Sequence, residues 1–211
     1  GNPPFVGKQY QTPAQKADIQ MICGIIKGFG ILDYVANWYV KAARIIAQNH
    51  NVQAAFVSTN SITQGEQANV LWQYLFKQDI EIHFAHRTFQ WTSQASGKAA
   101  VHCVIVGFRR PEKHSGEKYL FEYPDIKELP EKHTASNINQ YLTDAPSIII
   151  NKQRKQICNE LPMAFGSMPN DGGNLLLSTA EKQALITAEP LAAQYIRPFF
   201  GSEEFLNDKE R

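Results

Sequence analysis

The chain has 211 residues, 43% hydrophobic and 19% charged, with a net charge of +1. That length buries a sizeable core, and that balance excludes a disordered chain and a histone-like tail, although a local basic patch would still suffice for nucleic acid. No apolar run approaches a membrane span and no signal peptide is visible, so a soluble cytoplasmic protein is expected.

In chain order, the first strong signal is "DYVANWYVKAARIIAQN" (33–49). Val35, Trp38, Ala42, Ile45 and Ile46 recur at helical spacing, with Asp33 well placed near the N-terminus. "QAAFVSTN" (53–60) is a short apolar run suited to a buried parallel strand. Thr63 and Glu66 then form a T-x-x-E capping box before a helix with Val70, Leu71, Tyr74 and Leu75 on one face. "DIEIHF" (79–84) alternates as a strand, placing Ile80, Ile82 and Phe84 on one side. A polar loop, "HRTFQWTSQASGK" (86–98), separates it from the strand-like "AAVHCVIVGF" (99–108). Strands alternating with helices predict an α/β fold with a largely parallel sheet, in which the last two strands, lacking a helix between them, pair antiparallel.

From Arg109 onward prolines recur and helical periodicity fades, which puts a domain boundary near 109–113. "PSIIINKQRKQI" offers a strand at Ser147–Ile150 running into Lys152, Arg154 and Lys155, a basic strip able to contact phosphates, although such runs are more often solvated faces. "MPNDGGNLLLS" signals a turn before an apolar strand or helix start. "STAEKQALI" predicts a short helix capped by Ser178 or Thr179, with Glu181 in its first turn.

Gly28-Phe29-Gly30 lacks the preceding strand and the third glycine of a dinucleotide fingerprint and reads as a turn. His83 and His86 point to different sides and are not a metal pair. The three cysteines, Cys23, Cys103 and Cys158, are widely spaced without zinc or thioredoxin spacing and read as reduced, mostly buried thiols. No metal site is predicted.

At the start of the chain, Asn2-Pro3-Pro4-Phe5 resembles the motif of amino-methyltransferases that methylate the exocyclic nitrogen of adenine, and the resemblance implies activation of that amine. An exocyclic base amine is a poor nucleophile because its lone pair is delocalised into the ring. Two acceptors on its N–H groups, the Asn2 side-chain oxygen and the Pro3 carbonyl, would draw the nitrogen toward tetrahedral geometry. Two prolines stiffen the loop, and Phe5 offers a ring face to a base flipped out of the duplex. Taken alone, the tetrapeptide also fits a simple turn before a helix.

Together with "AAFVSTNSITQGEQ", "IEIHFAHRTFQW", "VHCVIVGF", "EYPDIKELP", "NINQYL", "DGGNLLLS" and "YIRPFFGSEEF", this motif resembles the γ-ordered amino-methyltransferases of the MmeI-like restriction–modification enzymes. The resemblance covers nearly the whole chain. It implies part of a class I (Rossmann-like) methyltransferase sheet over 1–110, followed by a mixed α+β target-recognition domain over 111–211. It implies methyl transfer from S-adenosylmethionine to the N6 amine of adenine in double-stranded DNA, Asn2 favouring adenine over the chemically similar cytosine amine. By the same resemblance an aromatic at about Phe89 or Trp91 stacks on the flipped base, and the alternative is that both rings pack over the core.

In this family the donor-binding strand and its glycine-rich turn precede the motif. The expectation is therefore a piece of a longer enzyme, lacking its N-terminal part, without a complete donor site and inactive alone. It would hide the edge of the 53–60 strand by homodimerisation or under residues 1–30. Two other classes remain: a DNA-recognition module without catalysis, and an interaction protein that binds no DNA.

Overall fold

Helix α1 (Pro13–Cys23) begins where its first turn is best satisfied. The Thr12 hydroxyl accepts from the Gln15 N–H, the Gln15 side chain accepts from the Thr12 N–H, and Pro13 fills the first helical position. Helix α2 (Ala36–Gln48) forms where the spacing predicts, but its buried face is Tyr39, Val40, Ala42, Ala43 and Ile46; of the residues read from the spacing, Ile45 is exposed and Trp38 half-buried. Asp33 does not cap it; the N-cap is Val35, with no side-chain bond. In the computed structural model, residues 1–91, 101–111, 116–126, 128–151, 158 and 170–208 are described. They divide into two units, Gly1–Lys152 and Gln153–Arg211.

In the first unit, strand β1 (Ala54–Thr59) is followed by a 3-10 turn at Asn60–Thr63 and helix α3 (Gly65–Lys77). The Thr63–Glu66 capping box does not form: Thr63 lies in the turn, its hydroxyl donates to the Asn60 carbonyl, and Gln64 is the N-cap. At its other end α3 closes with a Schellman motif. The Ile80 N–H donates to the Leu75 carbonyl and the Asp79 N–H to Phe76, with Asp79 at φ 58° in the position glycine usually takes.

Strand β2 (Glu81–Trp91) runs to Trp91, so His86–Trp91 are strand rather than loop. It pairs with β3 (Val101–Arg109), which also pairs with β1, both antiparallel. β4 (Lys118–Glu122) joins β2 in parallel, and β5 (Glu131–Ala135) closes the order β1-β3-β2-β4-β5. The sheet is therefore mixed rather than largely parallel. β1 and β2 run the same way, but the β2–β3 hairpin returns β3 into the gap between them.

A register shift between Ile82 and Phe84 corrects the expected alternation along β2. The extra residue puts Ala85, not Phe84, on the buried side with Ile82, and the Phe84 ring lies over Gly107 instead. Helices α2 and α3 cover one sheet face. There the Tyr39 ring meets Phe56 at 5.2 Å and Phe108 at 5.2 Å, and Trp72 meets Phe108 at 6.4 Å. The Tyr39 hydroxyl is satisfied by Ser58 at 2.9 Å. Each large apolar side chain buried in this layer contributes roughly 1.5–3 kcal/mol.

Ser147–Ile150 is not a strand; Ile148 and Ile150 are exposed, and the Ile148 carbonyl accepts from the buried Gln140 side chain at 2.6 Å. Cys23 and Cys103 are buried and Cys158 exposed. Burial pushes the Cys23 thiol up to about 11.

In the second unit the "NDGG" turn forms around Asp171, whose carboxylate accepts from the N–H groups of Gly173 and Leu175, with positive φ at Gly172 and Gly173. Helix α4 (Thr179–Ala188) carries the predicted Ser178 cap, reciprocated by Glu181. The bonds from Ser178 hold Glu181 below the usual carboxylate range. Helix α5 (Ser202–Asn207) follows. No helix among the described residues is long and apolar enough to cross a membrane.

Candidate active site

The Asn-Pro-Pro-Phe segment is held at both ends. Upstream, the Gly1 amino group donates to the Ala55 carbonyl at 2.7 Å and the Val57 N–H donates to the Gly1 carbonyl at 2.9 Å. Two bonds flanking Phe56 in this sense make a parallel bridge, so the chain leaves Gly1 in the direction β1 runs. Downstream, the Tyr34 N–H donates to the Val6 carbonyl at 2.9 Å and the Lys8 N–H donates to Asp33 Oδ1 at 3.0 Å.

Between these anchors Pro3 is buried, Phe5 half-buried, and Asn2 and Pro4 exposed. The Asn2 amide and the Pro3 carbonyl make no hydrogen bond among the described residues. Both acceptors named from the sequence therefore sit uncommitted on a short, doubly anchored, proline-stiffened span.

The sheet carries Phe89 to the same level. Thr59, the last residue of β1, is in register with Cys103, and Cys103 is in register with Phe89. Two strand spacings, about 10 Å, separate Thr59 from Phe89. Ligands of α/β sheets bind beyond the carboxyl ends of such strands. Trp91 pairs with Val101 one step farther along.

Phe89 is not isolated. Its ring stacks on Tyr123 at 5.2 Å and 25°, and the Tyr123 hydroxyl is 2.8 Å from His86 Nδ1. His86 lies flat on Phe121 at 4.2 Å and 3°. Burial lowers the His86 pKa from its ordinary value and raises that of Tyr123. A shallow cleft lined by Arg87, Thr88, Glu122, Tyr123, Pro124 and Glu131 borders this cluster and includes none of Asn2–Phe5.

Lys152, Arg154 and Lys155 lie outside the described residues. Gly28, at φ 86°, caps the 3-10 turn Phe29–Ile31 and follows no strand. Among the described residues no glycine-rich turn succeeds a strand, so they do not fit S-adenosylmethionine as a complete cradle. Sequence reading missed Tyr123 and the hub role of Asp33. Neither carries a local signature, because "FEYP" reads as a turn and an Asp ahead of a helix reads as a cap.

Residues 1–122 match the model of the MmeI DNA-methyltransferase domain, and residues 144–211 match that of the MmeI target recognition domain. DNA methyltransferase A of Bacillus subtilis (strain 168) is 42% identical over 98% of the chain, which spans 23% of that protein. A structure of the type IIL restriction–modification enzyme MmeI in complex with DNA superposes on all of the chain with a TM-score of 0.89 at 50% identity. The chain spans 28% of that protein. With its motif anchored on β1 and more than half its length matched by one domain model, the chain belongs to the MmeI family of DNA methyltransferases.

Proposed function

We propose that these 211 residues are the amine-activating part of the catalytic domain (1–110) and much of the target-recognition domain (111–211) of a longer, site-specific restriction–modification enzyme. That enzyme transfers a methyl group from S-adenosylmethionine to the N6 amine of adenine in double-stranded DNA. Asn2 and Pro3 accept the two amine protons in hydrogen bonds, Phe5 takes one face of the extruded base, and Phe89 or Trp91 takes the other. Lys152, Arg154 and Lys155 contact phosphates. The observation that carries this reading is the anchoring of an uncommitted Asn2–Pro3 acceptor pair on the edge of β1, level with Phe89 across the sheet.

The test is incubation of the full-length enzyme with S-adenosylmethionine and unmodified phage DNA, followed by sequencing that reads base modifications. Methylation of adenine N6 in one sequence context is expected, and Asn2→Ala should lower the rate by about 100-fold or more while duplex affinity stays within a few-fold. Modification of cytosine would overturn the choice of base, and none at all would overturn the reading. The 211-residue chain alone should incorporate no labelled methyl group.

A further inference from the structure

Asp33 joins three elements around the motif. Its Oδ1 accepts the Lys8 N–H at 3.0 Å, three residues past Phe5, and its Oδ2 accepts the Ser61 hydroxyl at 2.6 Å. Ser61 is in turn 2.9 Å from the Thr59 hydroxyl at the end of β1. The Asp33 N–H donates to the Gln67 side chain of α3 at 2.8 Å, and the neighbouring Tyr34 N–H holds Val6. Asp33 as a residue is 8% exposed, so water competes poorly for these donors.

We infer that Asp33 is a positioning residue that sets the exit of the Asn2–Phe5 loop relative to the carboxyl end of β1, and through it the placement of the two amine acceptors. The inference rests on the methyltransferase reading. Gly1 fixes only the entrance of the loop. Without the Asp33 bond, the Tyr34–Val6 bond would be the only backbone hydrogen bond, among the described residues, from residues 6–8 to another element. A displacement of about 1 Å at a reacting centre costs about 100-fold in rate.

Asn at this position keeps the geometry. Its Oδ1 still accepts from Lys8, and its Nδ2 can donate to Ser61, whose hydroxyl then turns to Thr59. Ala removes both acceptors, and Ser61→Ala removes one arm.

Two measurements decide the matter. In the 211-residue chain, amide exchange at Lys8 should rise about tenfold or more in Asp33→Ala, less in Ser61→Ala and little in Asp33→Asn, with Tyr39 and Ala43 in α2 unchanged. In the full-length enzyme, Asp33→Ala should lower kcat by about 100-fold with KM for DNA nearly constant, and Asp33→Asn should restore kcat to within a few-fold.

Unchanged Lys8 exchange in Asp33→Ala would overturn the clamp. Faster exchange with an unaltered kcat, or a change confined to KM, would overturn its positioning role. If Asp33→Ala fails to fold, Ser61→Ala and Asp33→Asn carry the same comparison. No methylation by the unaltered enzyme would sink the methyltransferase reading and leave the exchange result to decide the clamp by itself.

Discussion

His86 shows how one side chain serves two neighbours. Its ring face is spent on Phe121 and its Nδ1 on the Tyr123 hydroxyl, and the same burial lowers its pKa. The sign of the pH effect follows. Folded His86 resists protonation, so the unfolded chain takes up its proton first once the pH falls below about 6.5. This contribution is fully present above that value and is lost as pH falls toward the depressed folded value. His86→Phe keeps the stack and removes the titration. Thermal unfolding at pH 7.5 and 5.5 should therefore show a smaller drop in Tm in the variant, and an equal drop would exclude His86 as the source. The Tyr123 partner of His86 is 37 residues away, just past the end of β4, a strand no local pattern announced.

Elements with a local pattern were legible, including β1, β2, β3 and the antiparallel β2–β3 pair; β4 and β5, which have none, were not. Helices α2 and α4 follow from periodicity and, for α4, from a cap within four residues of sequence. β4 and β5 are short, half-polar strands; pairing with the edge of β2 makes the first a strand, and pairing with β4 makes the second. The missed Schellman end of α3 has Asp79 where glycine would have signalled it.

The bulge in β2 has a consequence of its own. It turns Phe84 onto Gly107, where a Cβ would come within 2.0 Å of the ring. Gly107→Ala should therefore destabilise the first unit by about 1–3 kcal/mol, measured by urea unfolding. Phe84→Ala in the same background should recover part of that loss. A neutral Gly107→Ala would mean that the ring moves freely aside.

Across the whole molecule, charge bears on the proposed partner. A net charge of +1 leaves any duplex affinity to local basic groups. If the chain binds duplex DNA through Lys152, Arg154 and Lys155, the logarithm of affinity should fall with the logarithm of salt, by about 0.9 for each phosphate neutralised. Replacing all three with Ala should flatten that slope by about 2–3, read by fluorescence anisotropy across a salt series. An unchanged slope would move the contact elsewhere on the chain.

The sequence by itself determined the motif and the family, because these reside in adjacent residues: Asn2 beside two prolines and an aromatic, followed by blocks in a fixed order. It also determined the helices whose periodicity and caps are local. Only the tertiary structure decided that β3 enters between β1 and β2, that Phe89 comes level with Thr59, and that Asp33 closes the motif loop instead of capping α2. The Lys8–Asp33 bond joins residues 25 positions apart, and the β1–β3 ladder joins residues 44–54 apart. Their energies depend on which partners the fold brings together, and no short window of sequence contains both.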